Sequence, residues 1–279
     1  MTRTAYFDKI KTVEEYKKDK KASLFFENYH KGTKGECKRM SALSEIKEII
    51  ENARSIVFFG GAGVSVDSGI PDFRSGDGLY SKDNGDVAPE TILSHGFLMN
   101  YPDEFYRYYR ENMLYPFAEP NYVHRTLANL EREGKLRCII TQNIDGLHGK
   151  AGSKNVIELH GSVAKNYCVC CAKEYDLQHI LDSSGTPRCS CGGFVRPDVV
   201  MYGEALPSEA FAYAEEVISE ADVLIVGGTS LTVNPAASLV ECYEGEHLII
   251  INKSPTPYDE YAEYVIRGSL ADAFEKIFD

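Results

Sequence analysis

Ser55-Ile-Val-Phe-Phe59-Gly60-Gly61-Ala62-Gly63 decides the fold class. A short apolar run that stops at a glycine cluster reads as a buried strand entering a tight turn. Before it, Leu43, Ile46, Ile49, Ile50 and Ala53 recur at helical spacing among Glu45, Lys47, Glu48 and Glu51. That pattern predicts an amphipathic helix, with Ser41 or Ser44 as its cap. After it, apolar runs return at Cys138–Thr141, Val156–Leu159, Val223–Val226 and Leu248–Ile251, with helix-like stretches at Val123–Glu133 and Ser208–Glu220. Strands that are apolar on both faces and alternate with helices predict an α/β architecture, a mostly parallel sheet with helices on both faces. Residues 77–120, rich in aromatics and proline, and 164–197, rich in cysteine, break the rhythm. They are expected to form a smaller second domain over the sheet.

The chain has 279 residues, 43% of them hydrophobic, enough for one sizeable core and a smaller satellite. Lysine plus arginine number 30 against 42 acids, a net charge of −12. Residues 1–40 run against this balance, with eleven basic and six acidic side chains, and are read as a basic N-terminal extension without assigned chemistry. An acidic body repels phosphate backbones, so nucleic acid is not an expected partner. No run approaches the roughly 20 apolar residues of a membrane span, and the first residues lack a signal-peptide core. A cytoplasmic protein without membrane association is expected.

Five of the eight cysteines lie between 168 and 191. In a chain of this length a cluster reads as a metal site rather than a disulfide framework. Cys168-Val-Cys170-Cys171 and Cys189-Ser-Cys191 match the zinc-ribbon pattern, in which four thiolates close a structural Zn2+ site. The two-residue gap selects Cys168 and Cys171, joined by Cys189 and Cys191; whether Cys170 replaces one of them stays open.

Gly61-Ala-Gly63 supplies two of the three glycines of a dinucleotide-binding turn, with Val66 where the third would stand. There the backbone would approach a pyrophosphate, helped by the following helix N-terminus. The missing glycine, and the absence of an acidic residue about 20 positions on, count against a nicotinamide dehydrogenase. The longer string Gly61-Ala-Gly-Val-Ser65-Val-Asp-Ser-Gly69-Ile-Pro71-Asp-Phe-Arg74 resembles the sirtuins, NAD-dependent protein-lysine deacylases. Further matches follow in family order: Thr141-Gln-Asn-Ile-Asp-Gly-Leu-His148, Glu158-Leu-His160-Gly161, Arg196-Pro-Asp-Val-Val-Met-Tyr-Gly-Glu204, Gly228-Thr-Ser-Leu231 and Ile251-Asn252-Lys253. The resemblance covers about residues 45–279. It implies a Rossmann-like part over about 41–76, 121–163 and 198–279, and a zinc-ribbon and helical domain over about 77–120 and 164–197, within one catalytic domain, 41–279.

The resemblance also implies roles. His160 is the catalytic base that deprotonates a ribose hydroxyl, consistent with an imidazole that titrates near neutrality. Asn143 is the second catalytic residue and, with Gln142 and Asp145, contacts ribose and nicotinamide. An i, i+2 pair such as Asn143 and Asp145 points one way if the chain stays extended, with Ile144, Phe73, Ile70 and Ala62 as apolar walls. Arg74, Thr229, Ser230 and Asn252 fall on NAD contacts, Leu270 by the adenine, and Gly63, Ser65 and Val66 complete the NAD set. The substrate, an acetyl-lysine protein or peptide, inserts as an added strand between runs at Val199–Gly203 and Thr229–Val233. NAD hydrolysis or ADP-ribosyl transfer would use the same pocket and is the alternative activity.

Departures from the family pattern are local. Gly60 stands where many relatives place Thr, and Asn234 where an aromatic is commoner; both are expected to border the cleft. Relatives that remove acidic acyl groups carry Tyr-x-x-Arg, whereas Tyr106-Arg-Tyr-Tyr109 puts tyrosine in the arginine position. A carboxylate in an apolar tunnel needs a paired cation, so a neutral acyl group such as acetyl is expected over succinyl.

Overall fold

The computed structural model describes residues 35–75, 78–81 and 87–279; of the basic extension, all but residues 35–40 lie outside the described residues. Residues 42–279 form one unit. Helix α1 (Gly35–Asn52) starts before both serines expected to cap it. Glu36, Lys38, Arg39 and Met40 are all good helix formers, so nothing in their intrinsic preference stops the helix at Ser41. Ile46 and Ile50 are buried, one turn apart on the face that meets the sheet.

The sheet has six parallel strands: β1 (Ile56–Gly60), β2 (Leu136–Thr141), β3 (Val156–Glu158), and, after the small lobe, β7 (Val223–Gly227), β8 (His247–Asn252) and β9 (Tyr264–Arg267). Their order is β3-β2-β1-β7-β8-β9. The central strand pairs Phe58 with Ile139 on one side and Ile225 on the other. Strand alternation sends Ile56 and Phe58 into one core and Val57 and Phe59 into the other. The first core lies under α1, α5 (Tyr122–Arg132) and α9 (Leu270–Phe278); the second lies under α8 (Ser208–Ser219) and a 3-10 segment, Ala236–Cys242. Phe58 and Phe59 have no exposed surface, and each burial stabilises by about 1.5–3 kcal/mol. Strand order reverses between β1 and β7, which opens a crevice at their carboxyl ends.

The small lobe combines α2 (Pro89–Ile92), α3 (His95–Asn100), α4 (Pro102–Asn112) and α7 (Leu177–Asp182) with an antiparallel sheet of order β5-β4-β6. Its strands are β4 (Gly161–Cys168), β5 (Glu174–Tyr175) and β6 (Val195–Val199). This sheet begins and ends slightly outside the expected insertion, 164–197, because Gly161 and Val199 already pair with each other. Phe105 stacks on Tyr109 at 5.4 Å, and the Tyr106 hydroxyl donates to the Val195 carbonyl at 2.5 Å, which joins helix to sheet. Among the described residues, no helix is long and apolar enough to cross a membrane.

Two buried histidines lie beneath the crevice. Asn121 caps α5: its Oδ1 accepts from the Val123 and His124 amides, and its Nδ2 donates to the Val64 carbonyl at 2.7 Å. The His124 ring lies 4.7 Å from that of His148, which stands on the short helix α6 (Leu147–Lys150). Burial, which disfavours the imidazolium, pushes His124 down to about 4 and His148 to about 3, and each has a cationic or imidazole neighbour acting the same way. Both are therefore neutral at pH 7. Below about pH 6.5 the unfolded chain binds protons that the native core refuses. Stability is therefore expected to fall as pH drops from 6.5 toward 4, by up to about 1.4 kcal/mol per pH unit for each histidine. Urea denaturation across that range measures the slope, and His148→Gln should make it shallower.

Candidate functional site

A cavity of about 600 Å3 lies beyond the carboxyl ends of β1, β2, β7 and β8, against the small lobe, within the range of ligand pockets. Every residue expected at the dinucleotide lines it. Ala62, Gly63, Ser65, Val66, Phe73 and Arg74 come from the chain after β1; Gln142, Asn143, Ile144 and Asp145 follow β2. His160 enters between β3 and β4, Thr229 and Ser230 follow β7, Asn252 ends β8 and Leu270 starts α9.

The glycine turn differs from its expected use. It is followed by two 3-10 turns, Ala62–Val64 and Val66–Ser68, and not by an α-helix, so no long helix N-terminus faces the cavity there. The Gly61 amide donates to the Gly227 carbonyl at 3.2 Å, and the Gly63 amide to the Gly228 carbonyl at 2.8 Å. A Cβ on Gly63 would lie 2.6 Å from the Gly228 Cα, and Gly228 itself has φ +62°. The side-chain-free space is thus taken by the neighbouring βα turn. Gly60 does not line the cavity; a Cβ there would meet the Phe58 ring at 2.7 Å, so a larger residue needs that ring to shift. Asn234 does line it.

Ser65 is the polar hub. Its hydroxyl donates to Asp145 Oδ2 at 2.7 Å and accepts from Asn143 Nδ2 at 3.1 Å. Asn143 and Asp145 therefore converge on one atom, although the chain after β2 is a loop and not an extended strand. The Leu147 amide donates to Asp145 Oδ1 at 2.9 Å. Burial nevertheless raises the Asp145 carboxyl above its ordinary value, outweighing both hydrogen bonds. Gln142 Nε2 donates to Thr229 Oγ1 at 2.9 Å and ties the β2 loop to the β7 loop.

His160 Nδ1 lies 2.8 Å from the Gln142 carbonyl, which can only accept; Nδ1 is therefore the protonated nitrogen and Nε2 carries the lone pair. Burial lowers the imidazole pKa, with the Gln142 bond partly opposing it, so the ring is a neutral base at pH 7.

The segment after β6 is held by charge. Arg196 Nη1 and Nη2 reach the two oxygens of Glu204 at 2.6 and 3.0 Å, and His95 Nδ1 lies 2.7 Å from the same carboxylate. Burial works against that anion, but Arg196, the Met201 amide and His95 outweigh it and hold Glu204 at about 2. Neither run expected to flank a peptide is a regular strand along its length. Residues 200–203 leave β6 through an isolated bridge between Tyr202 and Ser94, and Leu231, at φ +52°, interrupts 229–233. An extended run cannot pass through a left-handed residue. Tyr80 and Tyr202, to which no motif in the sequence lends a role, both line the cavity, and their hydroxyls meet at 2.5 Å. Nothing local in the sequence signals that pair, because 121 residues separate them in the chain.

Outside the cavity lining, the sulfurs of Cys168, Cys171, Cys189 and Cys191 all lie within 4.8 Å of one another. Tetrahedral zinc, with Zn–S near 2.3 Å, needs sulfur separations of about 3.8 Å, so this donor set fits. Cys170 stands outside the four, its sulfur packed over Gly193.

A model of the Sir2 family matches residues 61–235. An NAD-dependent protein deacetylase of Clostridium perfringens is 52% identical over 240 residues, covering 85% of this chain and 98% of that protein. One from Staphylococcus epidermidis is 44% identical over 236 residues, covering 84% and 96%. Among solved structures, a Sir2 complex with a p53 peptide and NAD+ matches at TM-score 0.75 and 39% identity, covering 84% of this chain and 96% of that one. A Sir2 enzyme bound to a propionylated peptide matches at TM-score 0.74 and 38% identity, with the same coverage.

Proposed function

The chain belongs to the Sir2 family, and on that premise we propose that it is an NAD-dependent protein-lysine deacetylase whose base is His160. The observation that carries this reading is one neutral imidazole, oriented by the Gln142 carbonyl, lining the same cavity as the Asn143–Ser65–Asp145 cluster. In the reaction, acyl-lysine, NAD and water become lysine, nicotinamide and O-acyl-ADP-ribose. Asn143 and Asp145 offer amide and carboxyl groups that match a carboxamide, and Ser65 fixes their spacing. His160 Nε2 takes the ribose hydroxyl proton as that oxygen captures the acyl carbon. Thr229, Ser230 and Asn252 serve the remainder of the dinucleotide. The substrate peptide lies between the 199–203 and 229–233 segments, held mainly through its backbone.

The acyl group is neutral in this proposal. Tyr109 lines the cavity, fully buried, where an acid-selective relative would place arginine. Arg110 is turned away, with Nε donating to the Ile180 carbonyl at 2.9 Å and Nη2 to that of Gly185 at 2.5 Å. Cys168, Cys171, Cys189 and Cys191 would hold one structural Zn2+, which fastens the cysteine loops of the small lobe and takes no part in the chemistry. The thiols must stay reduced to bind it, which fits a cytoplasmic setting.

Three outcomes test this reading. His160→Ala should keep its fold while turnover of an acetyl-lysine peptide with NAD falls about 10²–10⁴-fold, followed by mass analysis of O-acetyl-ADP-ribose. Nicotinamide release that ignores the peptide would point instead to NAD hydrolysis. On matched peptides, acetyl-lysine should be turned over faster than succinyl-lysine; the reverse would refute the acyl assignment. Metal analysis of the purified protein should find one zinc per chain, and Cys189→Ser should lower both that content and the melting temperature.

A further inference from the structure

Tyr80 and Tyr202 belong to different halves of the cleft. Tyr80 lies on the segment that carries Phe73 and Arg74. Its amide donates to the Phe73 carbonyl at 2.9 Å and the Leu79 amide to that of Asp72 at 2.7 Å, so the two ends of this segment move together. Its ring meets Phe73 edge-on at 5.6 Å, and the Arg74 guanidinium sits 5.7 Å from its centroid. Arg74 reaches Ser230 Oγ at 3.5 Å. Tyr202 belongs to the peptide segment. Its amide donates to the Leu93 carbonyl and its carbonyl accepts from the His95 amide, each at 3.0 Å. Tyr202 is 41% exposed, so it is not a core residue. A phenylalanine there would retain most of that packing and lose only the hydroxyl. Burial, reinforced by the Tyr202 hydroxyl, holds the Tyr80 phenol protonated well above its ordinary range. At least one of the two phenols can therefore donate at any working pH.

We propose that this hydroxyl contact is a tether between the peptide segment and the dinucleotide segment, which makes Tyr80 and Tyr202 positioning residues that couple peptide binding to NAD binding. The inference rests on the functional reading above. A peptide that settles the 199–203 segment fixes Tyr202, and through it Tyr80, Phe73 and Arg74 take the places they need at the dinucleotide. Coupling of this kind is reciprocal, so NAD should tighten the peptide by the same factor. One hydrogen bond sets its size, on the order of threefold to tenfold.

The test is calorimetric titration of a carbocyclic NAD analogue, whose nicotinamide bond does not cleave, into the full chain, with and without saturating acetyl-lysine peptide. In the wild type the peptide should tighten the analogue. In Tyr202→Phe that tightening should shrink by about threefold to tenfold, while the melting temperature stays unchanged. Tyr80→Phe should do the same, and the double variant should be no worse than either single one. Uncoupled binding in the wild type, an unchanged coupling factor in Tyr202→Phe, or additive losses in the double variant would each overturn the tether. Failure of the wild type to deacetylate the peptide would instead count against the functional reading, since binding is measured separately from turnover.

Discussion

The architecture turns on one backbone contact, the Gly63 amide on the Gly228 carbonyl at 2.8 Å. Two βα turns from neighbouring central strands meet there with no side chain between them, and a Cβ on either glycine would fall 2.6 Å from a backbone atom of the other turn. The closeness of these turns sets the floor of the cavity. Ser65 then stands where it can reach the β2 loop, and Thr229 stands where Gln142 can reach it. A methyl group at this point would push the β1 and β7 loops apart and carry the polar cluster with them.

Above that floor the site is assembled from loops held by side chains of distant segments. Ser65 joins residues 80 positions apart, Gln142 reaches across 87 positions, and the His160 ring is aimed by a carbonyl 18 positions earlier. Each bond constrains a loop that the sheet alone would leave loose. Fixed donors and acceptors of this kind need no reorganisation when charge develops. The small lobe supplies the opposite wall. Its own order comes from stacked aromatics on α4 and from the four-thiol cluster, while Arg196 and Glu204 hold the segment that returns to the cavity.

Legibility followed burial. Strands β1, β2, β7 and β8 were readable from the largely apolar runs at 55–59, 138–141, 223–226 and 248–251, which are covered on both faces. Strand β9 was not, since its two apolar residues, Val265 and Ile266, stand between Tyr264 and Arg267 and the run reads as mixed. The start of α1 was misplaced because serine is a tolerated helix residue as well as a cap. The 3-10 turns after β1 escaped notice because glycine patterns specify a turn and not the helix type beyond it.

Residue type and spacing determined the parallel sheet and the four clustered thiols, while the histidine and the Asn/Asp pair were marked by strings that resemble a known family. All of these rest on short-range patterns: continuous apolar runs, close pairs of cysteines and ordered local strings. The tertiary structure decided what depends on long-range geometry. It gave the glycines to the contact with Gly228, turned Arg110 to the Ile180 carbonyl, made Ser65 the hub and brought Tyr80 to Tyr202. A sequence lists donors and acceptors, but only the folded chain brings groups far apart in number within the roughly 3 Å at which a hydrogen bond acts.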